Sequence, residues 1–309
     1  MTTPARRIGY RVLGPAFDYI LHLRPAEWPI MAGHTLLGYL LAVGPAGAVR
    51  GAYLGQALLA LFVWVILLNG GTLAINSAFD RDEGDIGYLK APPPAPRFLG
   101  AVALVLMAAG QLLALRLPTG FQVSYAICFV LSLAYSVPPV RLKAVAGADW
   151  LINMWGFGTL TPYAGYAATG RPLDPAHAIV LLAFCPLFAS LYPLTQLYQF
   201  EEDRQRGDRT LALIFGMRRS LLVAIAAAII AFALFLLAGL RAGWRANPGD
   251  LARWGGIALA AGTWARVLWP WLQRHREMTP PEHQAGMYAA LKAWAVTDLV
   301  VILGWGVYS

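Results

Sequence analysis

Residues 54–85 read LGQALLALFVWVILLNGGTLAINSAFDRDEGD. From Leu54 to Ala78 there is no charged side chain, and a helix of about 20 apolar residues is enough to cross the roughly 30 Å hydrocarbon layer of a bilayer. The stretch then ends abruptly in Asp80, Asp82, Glu83 and Asp85. A membrane helix that delivers carboxylates to one surface is therefore the reading from which the rest follows.

The remainder of the chain repeats the first half of that pattern. Of 309 residues, 58% are hydrophobic and 13% charged, against roughly 25% charged in a soluble domain. Apolar segments long enough to span lie near 28–46, 54–78, 98–116, 121–137, 149–168, 175–197, 218–240, 252–271 and 287–307. They predict an all-α membrane protein, a bundle of nine transmembrane helices making a single domain over residues 1–309. The net charge of +8 sits in short loops, not on a face interleaved with aromatic residues, so no nucleic-acid partner is expected. Lys and Arg concentrate at Arg6, Arg7, Arg11 and Arg24 and in the loops after the second, fourth and sixth spans. The positive-inside rule then puts the N-terminus and those loops on the cytoplasmic side, of the inner membrane if the chain is prokaryotic.

Residues 1–25 mix three arginines of the first turns with apolar side chains and predict an interfacial helix. They have no compact apolar core followed by a small-residue cleavage site, so no signal peptide is expected. Cys128 and Cys185 fall inside apolar segments without metal-ligand or CxxC spacing and read as buried small residues. The tryptophans of the last helices read as an interfacial belt.

Eight of the sixteen carboxylates occupy two loops: Asp80, Asp82, Glu83 and Asp85, then Glu201, Glu202, Asp203 and Asp208. Such crowding raises the free energy of the ionised forms unless cations neutralise it. Hard divalent cations suit carboxylate oxygens, and Mg²⁺ is usually held by one or two carboxylates together with substrate phosphates. Asn76 and Asp80 are four residues apart and share a helix face. The competing reading is solvated loop charge paired with Arg81, Arg204, Arg206 and Arg209. Two such loops, each at the end of a span and on one membrane side, weigh against it. Between them lies Y135SVPPVRLK143, where a proline pair ends the fourth span and Arg141 and Lys143 follow. These two cations read either as membrane anchors or as groups that meet the phosphate oxygens of a metal-held diphosphate.

Taken together, N76SAFDRDEGD85, Y135SVPPVRLK143 and E201EDRQRGDRTLA212, with Arg24, Pro25 and Trp28 at the entry to the first span, resemble the UbiA superfamily of intramembrane prenyltransferases over nearly the whole chain. The resemblance implies a central cavity under a cytoplasmic-side cap, where an allylic prenyl diphosphate donor is held by Mg²⁺. It implies metal ligands among Asn76, Asp80, Asp203, Glu83, Asp85 and Glu202, with phosphate contacts from Lys143 and Arg141, and from Lys90, Arg97 and Arg204 as further candidates. Ionisation of the donor C–O bond puts negative charge on pyrophosphate, so cations fixed there stabilise the transition state more than the ground state. Tyr135 and Tyr198 end helices that would face the allylic cation, as aromatic stabilisers or as belt residues. Two positions depart from the family pattern. Gly84 stands where the last Asp of the first motif is expected, flanked by Glu83 and Asp85, and Gln199 stands where the second motif would begin with a metal-binding Asp.

Polar residues inside spans remain. Asn69 and Asn153 line a cavity or bond between helices; Asn153 also matches an asparagine of the family. His34 reads as a packed histidine or as a group that orients an acceptor. Asp298, near the middle of the ninth span, is expected to face the interior and to have a partner, and Lys292 points to a different face. The leading expectation is Mg²⁺-dependent prenyl transfer to a lipophilic acceptor. A membrane terpene cyclase would use the same site without an acceptor, and a transporter would place its polar groups near the midplane and show repeats.

Overall fold

The computed structural model describes residues 4–80, 86, 88–200, 204 and 210–306. Among these the chain is helices and turns, with one isolated antiparallel bridge between Ile86 and Leu89. Two short helices, α1 (Pro4–Leu13) and α2 (Phe17–His22), precede the bundle. The bundle comprises α3 (Trp28–Ala48), α4 (Gly51–Asp80), α5 (Leu99–Ala114), α6 (Thr119–Ser136), α7 (148–167) and α8 (Pro175–Leu197). After the short α9 (Leu211–Phe215) come α10 (Met217–Arg241), α11 (Pro248–Arg274) and α12 (Pro280–Gly306).

Six of these, α3, α4, α6, α8, α10 and α12, are long and apolar enough to cross a membrane. The other segments read as spans are helical but differ in kind. Helix α5 has 16 residues, α7 carries the buried Asp149 and a widened turn over Met154–Leu160, and α11 carries Asp250, Arg253, Arg266 and Arg274 among its apolar residues.

Small residues set the closest helix approach. A Cβ at Gly38 of α3 would run into the Pro162 carbonyl of α7, and one at Gly165 of α7 into the Thr35 carbonyl of α3. The absence of side chains at both points lets the two backbones meet, as is common between helices in lipid. Helix starts follow ordinary capping chemistry: the Asp174 side chain accepts from the Ala176 and His177 amides, with Pro175 at the first position of α8, satisfying donors that a helix leaves open.

Three helices contain widened turns with i→i+5 bonding, at Phe62–Asn69 in α4, Met154–Leu160 in α7 and Ile302–Gly306 in α12. Such turns shift the side chains that follow around the helix axis and recur at functional sites. The first two flank one internal cavity, described below.

The tryptophan belt expected in the last helices is corrected by the packing. Trp244, Trp264, Trp271, Trp294 and Trp305 are buried, and of that group Trp269 is well exposed. Trp244 packs on Trp305 at 4.3 Å between ring centroids, and the Trp264 and Trp271 indoles donate to Thr297 Oγ1 and His283 Nδ1 at 3.1 and 2.8 Å. An indole whose N–H finds a partner inside the bundle gains by burying its large apolar face there.

Asp298 does have a partner: its Oδ1 lies 3.2 Å from His34 Nδ1 on α3, while His34 Nε2 lies 3.2 Å from the Gly158 carbonyl on α7. The imidazole is packed edge-on against Phe184 and Trp294. This pair ties α3, α7 and α12 together.

Candidate active site

Four of the residues singled out in the sequence meet at the end of α4. Asn76 and Asp80 stand one turn apart on its last turns. The loop after α6 turns through a cis Pro138–Pro139 bond and brings in Arg141 and Lys143. Lys143 Nζ donates to Asn76 Oδ1 at 2.9 Å and forms an ion pair with Asp80 Oδ1. Arg141 Nη2 donates to the same Asp80 oxygen at 3.3 Å, and Ser136 Oγ donates to Asn76 Oδ1 at 3.3 Å. Two donors on Oδ1 fix which way the Asn76 amide faces. Arg141 holds φ at 33°, a left-handed conformation that a non-glycine residue adopts at a cost of order 1–3 kcal/mol. A second arginine beside the site, Arg24, is also left-handed at φ 50°. It is buried, donates to Ser77 Oγ at 3.5 Å and lies 3.6 Å from Glu27. Burial pushes the Glu27 carboxyl up, against the opposing pull of Arg24.

Beneath this charged mouth lies a cavity of about 210 Å³. Its walls come from α3 (Met31), α4 (Trp64, Leu68, Asn69, Thr72, Leu73, Asn76), α6 (Cys128, Leu131, Ser132, Tyr135) and α7 (Ile152, Asn153, Gly156, Phe157, Thr161). Asn69, Thr72 and Asn76 recur at helical spacing, so one face of α4 carries a polar stripe from the mouth into the interior. Thr72 Oγ1 meets Ser132 Oγ at 2.8 Å, and the buried Nδ2 of Asn69 has no partner among the described residues. Every polar group in the lining is uncharged, and the cations stay at the mouth.

A second polar network, absent from the sequence reading, lies behind the α6 wall. Asp149, at the start of α7, is buried. Its Oδ2 accepts from Tyr192 Oη and Gln196 Nε2, both at 3.1 Å, and its Oδ1 from the Gly147 amide at 2.9 Å. Gln196 Oε1 in turn accepts from the Ala212 amide at 3.1 Å. Tyr135 Oη stands 3.3 Å from Tyr192 Oη and so connects this network to the cavity. Asn153 Nδ2 donates to the Asp149 carbonyl at 2.7 Å.

The remaining candidates are placed elsewhere. Lys90 and Arg97 are exposed: the Lys90 carbonyl accepts from Arg6 at 3.1 Å, and the Arg97 guanidinium lies over Phe98 at 5.2 Å. Arg204 is exposed, and Gln199 is half-buried in the turn after α8. Tyr198 lines a different cavity of about 710 Å³ with Phe200, Arg218, Arg219, His275 and Arg276. Six residues separate it from Tyr192, about 240° around a helix, which turns it away from Tyr135. Glu83, Asp85, Glu202 and Asp203 lie outside the described residues, within which no three His, Cys, Asp or Glu side chains are close enough to hold a metal together.

Carboxylate, carboxamide and cations thus stand together at the end of a helical bundle, over a cavity lined by apolar and uncharged polar groups. A profile of the UbiA prenyltransferase family matches residues 30–283, and the chain belongs to that family; it is a UbiA-type prenyltransferase. Among curated relatives, a lycopene elongase/hydratase of Halobacterium salinarum is 29% identical over 234 residues, 74% of this chain and 82% of that protein. A digeranylgeranylglyceryl phosphate synthase of Natronomonas pharaonis is 29% identical over 292 residues, 91% and 96% of the two chains. Among solved structures, a digeranylgeranylglyceryl phosphate synthase superposes with a TM-score of 0.70 at 16% identity, covering 94% of this chain and 98% of that one. A UbiA homologue from Archaeoglobus fulgidus with GPP and Mg²⁺ bound gives 0.67 at 18% identity, covering 94% and 100%.

Proposed function

We propose that the protein transfers a prenyl group from an isoprenoid diphosphate, in a Mg²⁺-dependent reaction, to an uncharged lipophilic acceptor of the polyene kind. The observation that carries this is the division of the site: all its cations stand at the mouth around Asn76 and Asp80, and the cavity wall below is apolar with neutral polar groups only. An acceptor bearing its own phosphate would need a second set of cations inside, where the described lining has none. Relatives named for lycopene and for a glyceryl phosphate mark two acceptor classes, and this observation supports the first.

The donor set suits the metal. Asn76 Oδ1 and Asp80 Oδ1 are hard oxygen ligands that already converge on one cation, the Lys143 ammonium. Asn76, Asp80 and Asp203 would hold Mg²⁺ with a subset of Glu83, Asp85 and Glu202, and Gln199 stands where the family's second motif begins with Asp. When bound, Mg²⁺ neutralises charge on the departing pyrophosphate. Lys143 and Arg141 would meet the phosphate oxygens. The apolar walls exclude water from the allylic cation, and the Tyr135 ring, with Phe157, presents π density to it.

In this reading all nine apolar segments cross the bilayer, α1 and α2 lie in the interface, and the mouth opens to the cytoplasm beneath a cytoplasmic-side cap. The test is to supply the purified protein in lipid vesicles with Mg²⁺ and dimethylallyl, geranyl or geranylgeranyl diphosphate, with lycopene, geranylgeranylglyceryl phosphate or no acceptor. Prenylated lycopene supports the reading. Prenylation of the glyceryl phosphate alone overturns the acceptor assignment, and a terpene hydrocarbon formed without acceptor makes the protein a cyclase.

A further inference from the structure

We propose that Asp149, acting through Tyr192 and Tyr135, receives the proton that prenylation displaces from the acceptor. The inference rests on the prenyl-transfer reading but not on which acceptor is used. Any neutral nucleophile that captures a prenyl cation becomes cationic and must lose a proton to finish. Among the described residues the cavity lining contains no carboxylate and no histidine, and the proton is taken by a neighbouring group.

The hydrogen-bond directions single out one route. Gln196 Oε1 accepts from the Ala212 amide, which leaves its Nε2 to donate to Asp149. With the Gly147 amide and Tyr192 Oη also donating, Asp149 accepts three hydrogen bonds. Among the described residues no Lys or Arg reaches it, so neutral donors alone stabilise its charge. The Tyr192 proton is committed to Asp149. The contact of 3.3 Å between the two phenols is then donated by Tyr135, which lines the cavity and whose oxygen also meets the Asn153 side chain. The chain is polarised in one sense, from cavity to carboxylate.

The step balances. After the C1–O bond of the donor breaks, with its electron pair leaving on pyrophosphate, an electron pair of the acceptor forms the new bond to C1. The bond to hydrogen beside the resulting cationic centre then breaks, its electron pair closing a double bond or staying on oxygen. Its proton goes to Tyr135 Oη as the Tyr135 proton passes to Tyr192 and the Tyr192 proton to Asp149 Oδ2. A prenyl cation and a carboxylate become a neutral product and a neutral acid. The chain resets in reverse when product leaves and water enters the mouth. Tyr135 is the catalytic residue here, and Tyr192 and Asp149 are positioning residues that act through it.

The test compares pyrophosphate release with prenylated product for wild type, Asp149→Asn and Tyr192→Phe, using the donor–acceptor pair that the wild type turns over from the vesicle assay above. Asp149→Asn keeps the shape and the Gln196 contact; Tyr192→Phe cuts the chain at a second point in case the first variant fails to fold. In both, pyrophosphate release is expected to fall by no more than about threefold, while prenylated product falls about 100-fold, the scale of a lost general base. The difference is expected to appear as prenyl alcohol or diene, and the wild-type solvent deuterium isotope effect on product partition is expected to vanish. A fall of both rates together, or unchanged coupling in both variants, overturns the relay. A wild type that releases no pyrophosphate from any donor overturns the prenyl-transfer reading itself, and the relay with it.

Discussion

Two carboxylates of the site, Asp80 and Asp149, are treated by the structure in opposite ways. Asp80 sits at the mouth, partly exposed, against two cations. Asp149 is buried behind the wall against neutral donors: two side chains and one backbone amide. A carboxylate matched by mobile ammonium and guanidinium groups can exchange them for a ligand's cation. One held by a fixed set of neutral hydrogen bonds cannot, and it instead fixes the elements that supply them. The first arrangement belongs to binding and the second to positioning, and the difference can be measured as activity against stability.

The largest effect is expected at the mouth. Asp80→Ala removes a charged ligand from the point where pyrophosphate leaves, and a loss of about 10³-fold in kcat/KM is expected, in line with deletion of a principal transition-state contact. Thermal unfolding in detergent is expected to move less than for Asp149, because Arg141 is 46% exposed and Lys143 keeps Asn76 as a partner. Asp149→Leu should show the inverse emphasis in its folding. Three donors lose their acceptor in a buried site, at about 1 kcal/mol or more each, so a destabilisation of about 3 kcal/mol is expected from the same melts. An Asp80 variant that melts early, or an Asp149→Leu variant that melts like wild type, would erase the distinction.

That contrast was only half legible in the sequence. The mouth was readable because its residues repeat recognisable spacing: Asn76 and Asp80 one turn apart, and Arg141 and Lys143 directly after a proline pair that ends a span. Asp149 was not, because a carboxylate at the edge of an apolar segment looks like the boundary of that segment. What identifies it is a tertiary fact, the arrival of Tyr192 and Gln196 from α8, one turn apart on a face that sequence alone does not orient. Asp298 shows the same limit. Its need for a partner followed from the cost of a charge at membrane depth, but its partner is 264 residues away in sequence, and only packing brings His34 to it. The tryptophans erred in the other direction, since an amphipathic side chain satisfies interface and interior equally until its N–H partner is known.

A smaller effect sharpens the account of the mouth. Lys143 holds the same two oxygens that would take the metal, so Lys143→Met should act with opposite sign on two ligands. The KM for the prenyl diphosphate is expected to rise about tenfold with loss of a charge-assisted contact. In the absence of donor, Mg²⁺ binding measured by calorimetry is expected to tighten, because Asn76 and Asp80 no longer have an internal cation to give up. Weaker binding of both would mean that Lys143 props the site open and does not compete for it.

The smallest effect is expected at Lys90 and Arg97, which the sequence offered as phosphate ligands on the same grounds of charge and loop position as Arg141. In the structure both side chains are exposed, and Arg97 lies along the Phe98 ring, whereas Arg141 is carried to Asp80 by a strained backbone. A solvated cation beyond a Debye length of about 8 Å contributes little at physiological ionic strength. Lys90→Ala and Arg97→Ala are therefore expected to change kcat/KM by less than about twofold at 0.15 M salt, with any effect growing as salt is lowered. A tenfold loss that persists at high salt would place these side chains on the substrate and extend the binding region from the mouth into the loop after α4.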